Sequence, residues 1–508
     1  MNKSINIIGA GISGLTAGCY LQMNGFKTEI FEKHSNSGGL CTSWKRNAYT
    51  INYSAHWIMG SDKGSSFYKM WSELLDMESI EFINHDLRID IQLSKNKDKY
   101  GDNVFHFYTN LDKLESYLID LSPEDTALIS KFIKRIRLLQ KYDLPPISEK
   151  LPFIQSVVKG MGMIKYFEVF PLLYRWSRET NMTFAKKFKN PFLQEAFSLL
   201  YDEEEVKMLV FTLPHAYYDK KSAGYPAGGS NSFTKKLEEK YISLGGKINF
   251  NSNVNNVIIE NDAAVGLNYN NDKIIKSDYT LSTADWHYTI FNALKGKYVD
   301  EKTIQLSTQK NMEVFFSAIL FSYGVNKDYN NLPHFSRFPL IKPIVSPDGT
   351  IYKRLELRIS NFDKTIAPRG KSLLSVSLYT KNGDYWINLR NENIESYNNA
   401  KNEFSKKILE ALEDQIGEFQ KEIEMTDIAS PATIFRYTNN WKGSTQGWLP
   451  GKNFLASSPV GFKIKGLNNF YYSSHWCTPG GGLPVVIKNS REVTQLICKN
   501  SGVEFKAK

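Results

Sequence analysis

Three stretches of this 508-residue sequence each join a strand, a glycine-rich turn and a helix, and together they predict an α/β fold assembled from distant parts of the chain. The first stretch is the most specific. Residues 5 to 8 form an apolar run that reads as a buried strand, and Gly9-Ala10-Gly11-Ile12-Ser13-Gly14 follows it directly. In that spacing Gly9 makes a tight turn, Gly11 lets the backbone approach a pyrophosphate, and Gly14 allows a helix to pack closely on the sheet. Amides at the helix N-terminus then suit phosphate oxygens. A second strand ends at Glu32, where a carboxylate accepts hydrogen bonds from a ribose. The glycines alone would be weak evidence, but strand, glycines, helix, second strand and acid in that order mark a Rossmann-like dinucleotide site.

The second stretch opens at Gly224-Tyr225-Pro226-Ala227-Gly228-Gly229 and continues into a helix with Phe233, Leu237, Tyr241 and Leu244 on one face. Residues 247–250, 254–260 and 263–269 read as a small β-meander, and 279–282 as a further strand ending at Thr283-Ala284-Asp285. The third stretch is a strand over 470–473, a glycine-rich loop, and a helix from about residue 485 to 498. These pieces give a discontinuous nucleotide-binding domain from 1–75, 222–290 and 455–508. The insertions between them, 76–221 and 291–454, are expected to form a mixed α+β substrate domain with a helical cap near 122–200. In the first insertion Ser122-Pro123-Glu124-Asp125 combines an N-cap, a proline at N1 and an acid at N3, and Ile129, Phe132, Ile133, Ile136 and Leu139 continue as an apolar stripe. The second mixes strands over 314–322 and 372–379 with a helix over 393–415. The chain contains one G-x-G-x-x-G and no evident second site for a nicotinamide cofactor.

A content of 42% hydrophobic and 13% aromatic residues belongs to a folded protein, and the length allows two or three domains. Four widely spaced cysteines, Cys19, Cys41, Cys477 and Cys498, form no C-x-x-C pair, so they suggest neither a zinc site nor a disulfide framework. No metal is expected, and a reducing cytoplasm fits. The balance of 63 basic against 53 acidic residues gives a net charge of +10, spread along a Lys- and Asn-rich sequence without a nucleic-acid motif. The N-terminus lacks a small-residue cleavage site, and no apolar run reaches the ~18 residues of a spanning helix. Residues 151–176 are apolar and aromatic with Lys159, Lys165 and Arg175 interspersed. They read as a helix pair packed in the substrate domain or as a surface resting on a membrane, and peripheral membrane contact is the expectation.

Several further motifs occur in a fixed order. After Glu32 comes Ser37-Gly38-Gly39-Leu40-Cys41, and near the other end Ser473-Ser474-His475-Trp476-Cys477-Thr478 runs into Pro479-Gly480-Gly481-Gly482-Leu483-Pro484. With the Gly9 motif, Tyr225-Pro226-x-Gly228-Gly229 and Thr283-Ala284-Asp285, they resemble the phytoene desaturase family, which includes carotenoid isomerases and retinol saturases, within the amine-oxidase-like FAD superfamily. The match spans nearly the whole chain but is dense only in the three nucleotide-binding stretches. The resemblance implies FAD bound in extended form. Glu32 would meet the adenosine ribose, Gly9, Gly11, Ile12, Ser13 and Gly14 the pyrophosphate, and Val254 the adenine through its backbone. Gly481 and Gly482 would lie beside the isoalloxazine, where a helix N-terminus suits the negative charge of a reduced flavin. Lys33, Gly38, Gly39, Leu40, Asp285 and Leu483 count in the same site. The stretch from Tyr49 to Gly60, with His56-Trp57-Ile58, looks more like the retinol saturase arm than a plain phytoene desaturase.

His56 reads either as a proton donor near the flavin or as a core histidine held by hydrogen bonds, the commoner outcome. His475 and Trp476 divide between lining the flavin site and packing beneath it, while Cys41 and Cys477 read as inert thiols. The expected activity is a FAD-dependent oxidoreductase acting on a C–C single or double bond of a long apolar polyene, isoprenoid or unsaturated lipid, with hydride exchanged at flavin N5. Electrons would pass to a quinone, oxygen or a reductase partner, or return in a redox-neutral isomerisation. Two alternatives share the scaffold: a flavin amine oxidase, and a non-catalytic prenyl-binding escort like the Rab GDP-dissociation-inhibitor group, against which Glu32 and the complete glycine loops argue.

Overall fold

The computed structural model describes residues 3–93, 103–142, 167–201, 206–310, 312–450 and 459–507. Its organising element is a five-stranded parallel sheet in the order Lys247–Asn249, Lys27–Phe31, Ser4–Ile8, Tyr279–Ser282, Phe470–Tyr472. A parallel sheet is covered on both faces, so its central strands read as apolar runs rather than alternations. Ile5, Ile7 and Ile8 are buried accordingly, as is all of Tyr279–Ser282. The Ile12–Met23 helix is buried almost throughout and packs against the helices Gly229–Ser243 and Gly482–Asn500. The three helices come from the same three stretches of chain as the strands.

Lys247–Asn249 is not the first strand of the meander. It extends the parallel sheet beside Lys27–Phe31, and the meander is Val254–Glu260, Ala263–Tyr269 and Lys273–Lys276. Lys273–Lys276 escapes the sequence pattern because it is a solvated edge: Ile274 is exposed, so no apolar alternation is required of it.

A second sheet of seven strands runs in the order Ile423–Ala429, Ser317–Val325, Ser372–Thr380, Ile351–Ile359, Phe335–Val345, Leu87–Gln92, Val104–Tyr108. It is antiparallel except where Phe335–Val345 meets Leu87–Gln92. The two insertions therefore build one sheet between them. On it pack Phe404, Ile408 and Leu412 of the Ile394–Ile416 helix. A helical layer packs on the strands from the first insertion: Leu111–Leu121, Thr126–Tyr142, Phe170–Trp176, Pro191–Ser198 and Met208–Asp219 share a core with Ile89, Ile91, Phe105 and Phe107. Between the first two of these helices the Ser122 hydroxyl donates to Asp125 at 2.8 Å, and a short 3₁₀ turn precedes the long helix.

Residues 151–166, most of the stretch read as membrane-facing, lie outside the described residues. Of the remainder, Leu172, Leu173 and Trp176 are buried, whereas Phe167 and Tyr174 are exposed. Among the described residues no helix is long and apolar enough to cross a membrane.

The tightest approach in the parallel domain is at Gly14. A Cβ there would overlap the carbonyl oxygen of Gly9 and come within 2.8 Å of Thr283 Oγ1. At Gly25 nothing lies within 4 Å, although φ is +80°. We predict that Gly14→Ala lowers unfolding free energy by about 2 to 3 kcal/mol through overpacking, and Gly25→Ala by only about 1 kcal/mol through backbone strain. Chemical denaturation of the two variants checks the order; equal losses would contradict it.

Candidate functional site

The strands of the parallel sheet all end on one side, and there the three stretches of chain converge in the crevice where open α/β sheets place their ligands. Gly38 N–H donates to Ala10 O at 2.8 Å, bringing the second glycine pair against the first turn. Ser13 Oγ donates to Ser473 O at 2.8 Å and lies 3.2 Å from Ser490 Oγ, so the N-terminal glycine turn is tied directly to the C-terminal stretch. Thr283 Oγ1 donates to Ile8 O at 2.8 Å and Gly9 O at 3.0 Å, which ties in the middle stretch.

Around this junction opens a cavity of about 910 Å³. Its wall includes Gly9, Gly11, Ile12, Ser13, Glu32, Lys33, Gly38, Gly39, Leu40, Val254, Asp285, Gly481, Gly482 and Leu483, residues scattered through the sequence. Gly14 is not on the wall; it is where the first helix meets the turn.

Glu32 is buried, and its two oxygens accept from Ala10 N–H at 2.7 Å and His34 N–H at 2.9 Å. Burial raises its pKa, and these backbone donors work in the opposite direction. Each oxygen keeps acceptor capacity, so the carboxylate is fixed in orientation and still able to take a hydroxyl. Lys33 Nζ donates to Asn439 Oδ1 at 2.7 Å, and burial lowers its pKa. Tyr288 hydroxyl donates to the carbonyl of Val254. Asp285 accepts from Tyr288 N–H at 2.7 Å and Trp441 N–H at 2.8 Å, joining the middle stretch to the second insertion. Burial pushes this carboxyl up to about 7, although the same N–H groups favour its charged form.

The predicted catalytic residues separate. Trp476 is not on the cavity wall. It is fully buried against Trp448 and Trp441, and its Nε1 donates to Asn440 Oδ1 at 3.1 Å. This is the second of its two readings, packing beneath the site rather than lining it. His475 does line the cavity, with Nε2 3.2 Å from the same Asn440 oxygen and its pKa lowered to about 4 by burial. His56 also lines it and is not the hydrogen-bonded core histidine: among the described residues its ring has no hydrogen-bond partner. Burial first, then the charge of Arg358 and the neighbouring His334, hold His56 well below the usual histidine range. This environment disfavours the charged form of the ring, which argues against a charged proton donor. Cys41 and Cys477 are buried, and burial raises the pKa of Cys41.

Sequence reasoning missed Asn440, the hub between His475 and Trp476, and the Trp286, Trp441 and Trp448 cluster around it. It also missed a part of the cavity wall where His85, His334 and Phe362 are in ring contact and Arg88 lies over Tyr218, with the charges of both Arg88 and Arg358 acting on that tyrosine. The available signal was three charged residues, Arg337, Glu356 and Arg358, at buried or half-buried positions of two strands. Among the described residues no cluster of three His, Cys, Asp or Glu side chains is placed to hold a metal ion.

Asp285 gives this site a measurable pH signature. Its carboxyl titrates near 4 when unfolded and near 7 when folded, so its contribution to stability is full below about pH 4 and is lost as pH rises through 7. We predict that the stability of the wild type relative to Asp285→Asn falls by up to about 4 kcal/mol between pH 4 and pH 7.5. Paired denaturation curves across that range check this; a constant difference would contradict it.

Residues 7–74 match the family model of the NAD(P)-binding Rossmann-like domain. The chain is 24% identical to 4,4'-diapophytoene desaturase (4,4'-diapolycopene-forming) of Methylomonas sp., with 99% of this chain and 97% of the relative covered. It is 22% identical to the chloroplastic prolycopene isomerase of Daucus carota, covering 99% of this chain and 81% of that protein. A crystal structure of an oxidoreductase from Methanosarcina mazei superposes with a TM-score of 0.60 at 16% identity, covering 97% of this chain and 100% of the other. A dinucleotide crevice built from three stretches, on the fold of that oxidoreductase, thus belongs to a chain related along its whole length to carotenoid desaturases and prolycopene isomerases.

Proposed function

We propose that the chain is a FAD-dependent oxidoreductase acting on C–C bonds of a long apolar polyene or unsaturated lipid, by desaturation, saturation or isomerisation. The observation that carries this reading is the continuity of one cavity. The glycine turns and Glu32 share it with an apolar chamber that includes Leu173, Leu200, Leu209, Val210 and Leu213. A nucleotide alone would not need that second half, and a long apolar molecule matches its chemistry. The names of the relatives point the same way.

The residues present fit FAD. A Cβ at Gly38 would approach Cys41 O to 2.5 Å and the Thr234 methyl to 3.2 Å, and one at Gly39 would approach Gly11 Cα to 3.3 Å, so the double turn lies against the first glycine turn only because neither position carries a side chain. Glu32 would accept from the ribose, the amides of the Gly9–Gly14 turn would hold the pyrophosphate, and Gly481–Leu483, which open the Gly482–Asn500 helix, would meet the isoalloxazine. When bound, FAD supplies hydride exchange at N5. The chain's own residues exclude water, orient the apolar substrate and present His56 and His475 as neutral polar contacts. Electron acceptors of the quinone, oxygen or reductase class, and peripheral membrane contact, belong to the same proposal.

An amine substrate is disfavoured because Arg88 and Arg358 face the cavity, and their charges would repel an ammonium group. The buried Glu32 speaks against an escort without flavin.

Purified protein is expected to be yellow. Glu32→Ala is expected to weaken FAD binding about 10- to 100-fold, the loss of a charge-assisted hydrogen bond. Lipid extracts from cells with and without the protein should differ by species two hydrogens apart, or by isomers of equal mass, when read by mass spectrometry. A protein that stays colourless after FAD is added, with unchanged lipids, would sink the proposal.

A further inference from the structure

The far half of the cavity carries positive charge that neither a flavin nor a hydrocarbon uses. Glu356 and Arg358 stand two residues apart on the Ile351–Ile359 strand and so share one face of it. Glu356 is taken: it forms a buried ion pair with Arg337, its partner across the register of the neighbouring strand. Arg358 has no carboxylate in ion-pair range and no hydrogen bond among the described residues, and its guanidinium lies 3.6 Å from the centroid of the Phe335 ring. Arg88, on Leu87–Gln92, donates to Phe211 O at 3.1 Å and lies 4.5 Å and 5.3 Å from the Phe211 and Tyr218 rings, also without a carboxylate.

Neutral donors surround these cations. His85 and His334 stack at 3.7 Å, and neither ring has a hydrogen-bond partner among the described residues. Burial first, with Arg358 contributing, holds them at about 4 and about 2, so they add N–H groups and no further charge. The acids on the cavity wall are Glu32 and Asp285, in the dinucleotide half and bound by backbone N–H groups, and the paired Glu356. Two half-buried guanidinium groups in a mainly apolar chamber without a counter-ion are unfavourable. A ligand that brings its own anion removes that penalty, and the planar fork of an arginine fits a carboxylate with two parallel hydrogen bonds.

We infer that the substrate is a long unsaturated apolar molecule ending in a carboxylate, held by Arg358 and Arg88 with His85 and His334 as additional donors. This deepens the reading of the cavity as a polyene site and rests on it. A chamber for a neutral hydrocarbon would gain nothing from unpaired arginines; the other cations on the wall, Lys33, Lys207 and Arg337, are bound to Asn439, the Arg178 carbonyl and Glu356.

The test uses the full chain loaded with FAD and a fluorescent conjugated tetraene fatty acid, cis-parinaric acid, alongside its methyl ester. The acid is expected to bind about 10- to 100-fold more tightly than the ester. Arg358→Met, which keeps an apolar stem against Phe335, should remove most of that preference and leave ester affinity within about two-fold; Arg358→Lys should recover part of it. Flavin content and thermal midpoint, measured on each variant, identify any that fail to fold, and Arg88→Met supplies an independent second variant. Equal binding of acid and ester by the wild type, or parallel loss of both in folded Arg358→Met, would overturn the inference. A two-hydrogen change in a neutral hydrocarbon, together with equal acid and ester binding, would leave the oxidoreductase reading standing and remove this one. Absence of bound flavin with the acid preference intact would do the reverse.

Discussion

The structure depends on one close approach, that of the first helix to the end of the first strand. Gly9 turns the chain, Gly14 lies against the Gly9 carbonyl, and Thr283 caps both Ile8 and Gly9 from the middle stretch. Because this contact leaves no room for a side chain, the helix N-terminus is drawn to the end of the central strand and its amides are presented to the crevice. Ser13 then reaches Ser473 and Ser490, so the C-terminal loop is placed by the same turn. Packing at one point thus determines where the distant strands end and where a dinucleotide site can form.

Polar groups in the cavity divide into two kinds. In the dinucleotide half, Glu32 and Asp285 are buried acids whose oxygens are fixed by backbone N–H groups, so their orientation is set before a ligand arrives. Asn440 extends this rigid arrangement by joining His475 to Trp476 and accounts for a tryptophan that is structural despite its place in a glycine-rich functional loop. In the other half, Arg88 and Arg358 lie beside His85 and His334 in a mainly apolar space whose one acid, Glu356, is paired with Arg337. The first half is already satisfied by the protein, while the second is completed only by what enters it.

The dinucleotide half was legible because its physics is local. A turn, a close helix and an acid at the end of the next strand need particular residue types at short spacings, and Gly9, Gly14 and Glu32 carried the signal. Lys247–Asn249 was misplaced because parallel pairing with Lys27–Phe31 is a long-range choice that three half-exposed residues cannot announce. The seven-stranded sheet was hidden for a similar reason: Leu87–Gln92 pairs with Phe335–Val345 across the whole middle of the chain. Arg358 was a weaker signal than the glycines because an arginine in a strand that also carries Lys353, Arg354 and Glu356 reads the same whether paired, as Arg337 is by Glu356, or not.

The central claim is that one continuous cavity holds a flavin and an apolar substrate together. Native mass spectrometry of the purified chain, loaded with FAD and offered a polyene, tests it directly. The account predicts an ion carrying one FAD and one polyene at once. Ions that carry either molecule but never both, at concentrations that saturate each alone, would contradict it.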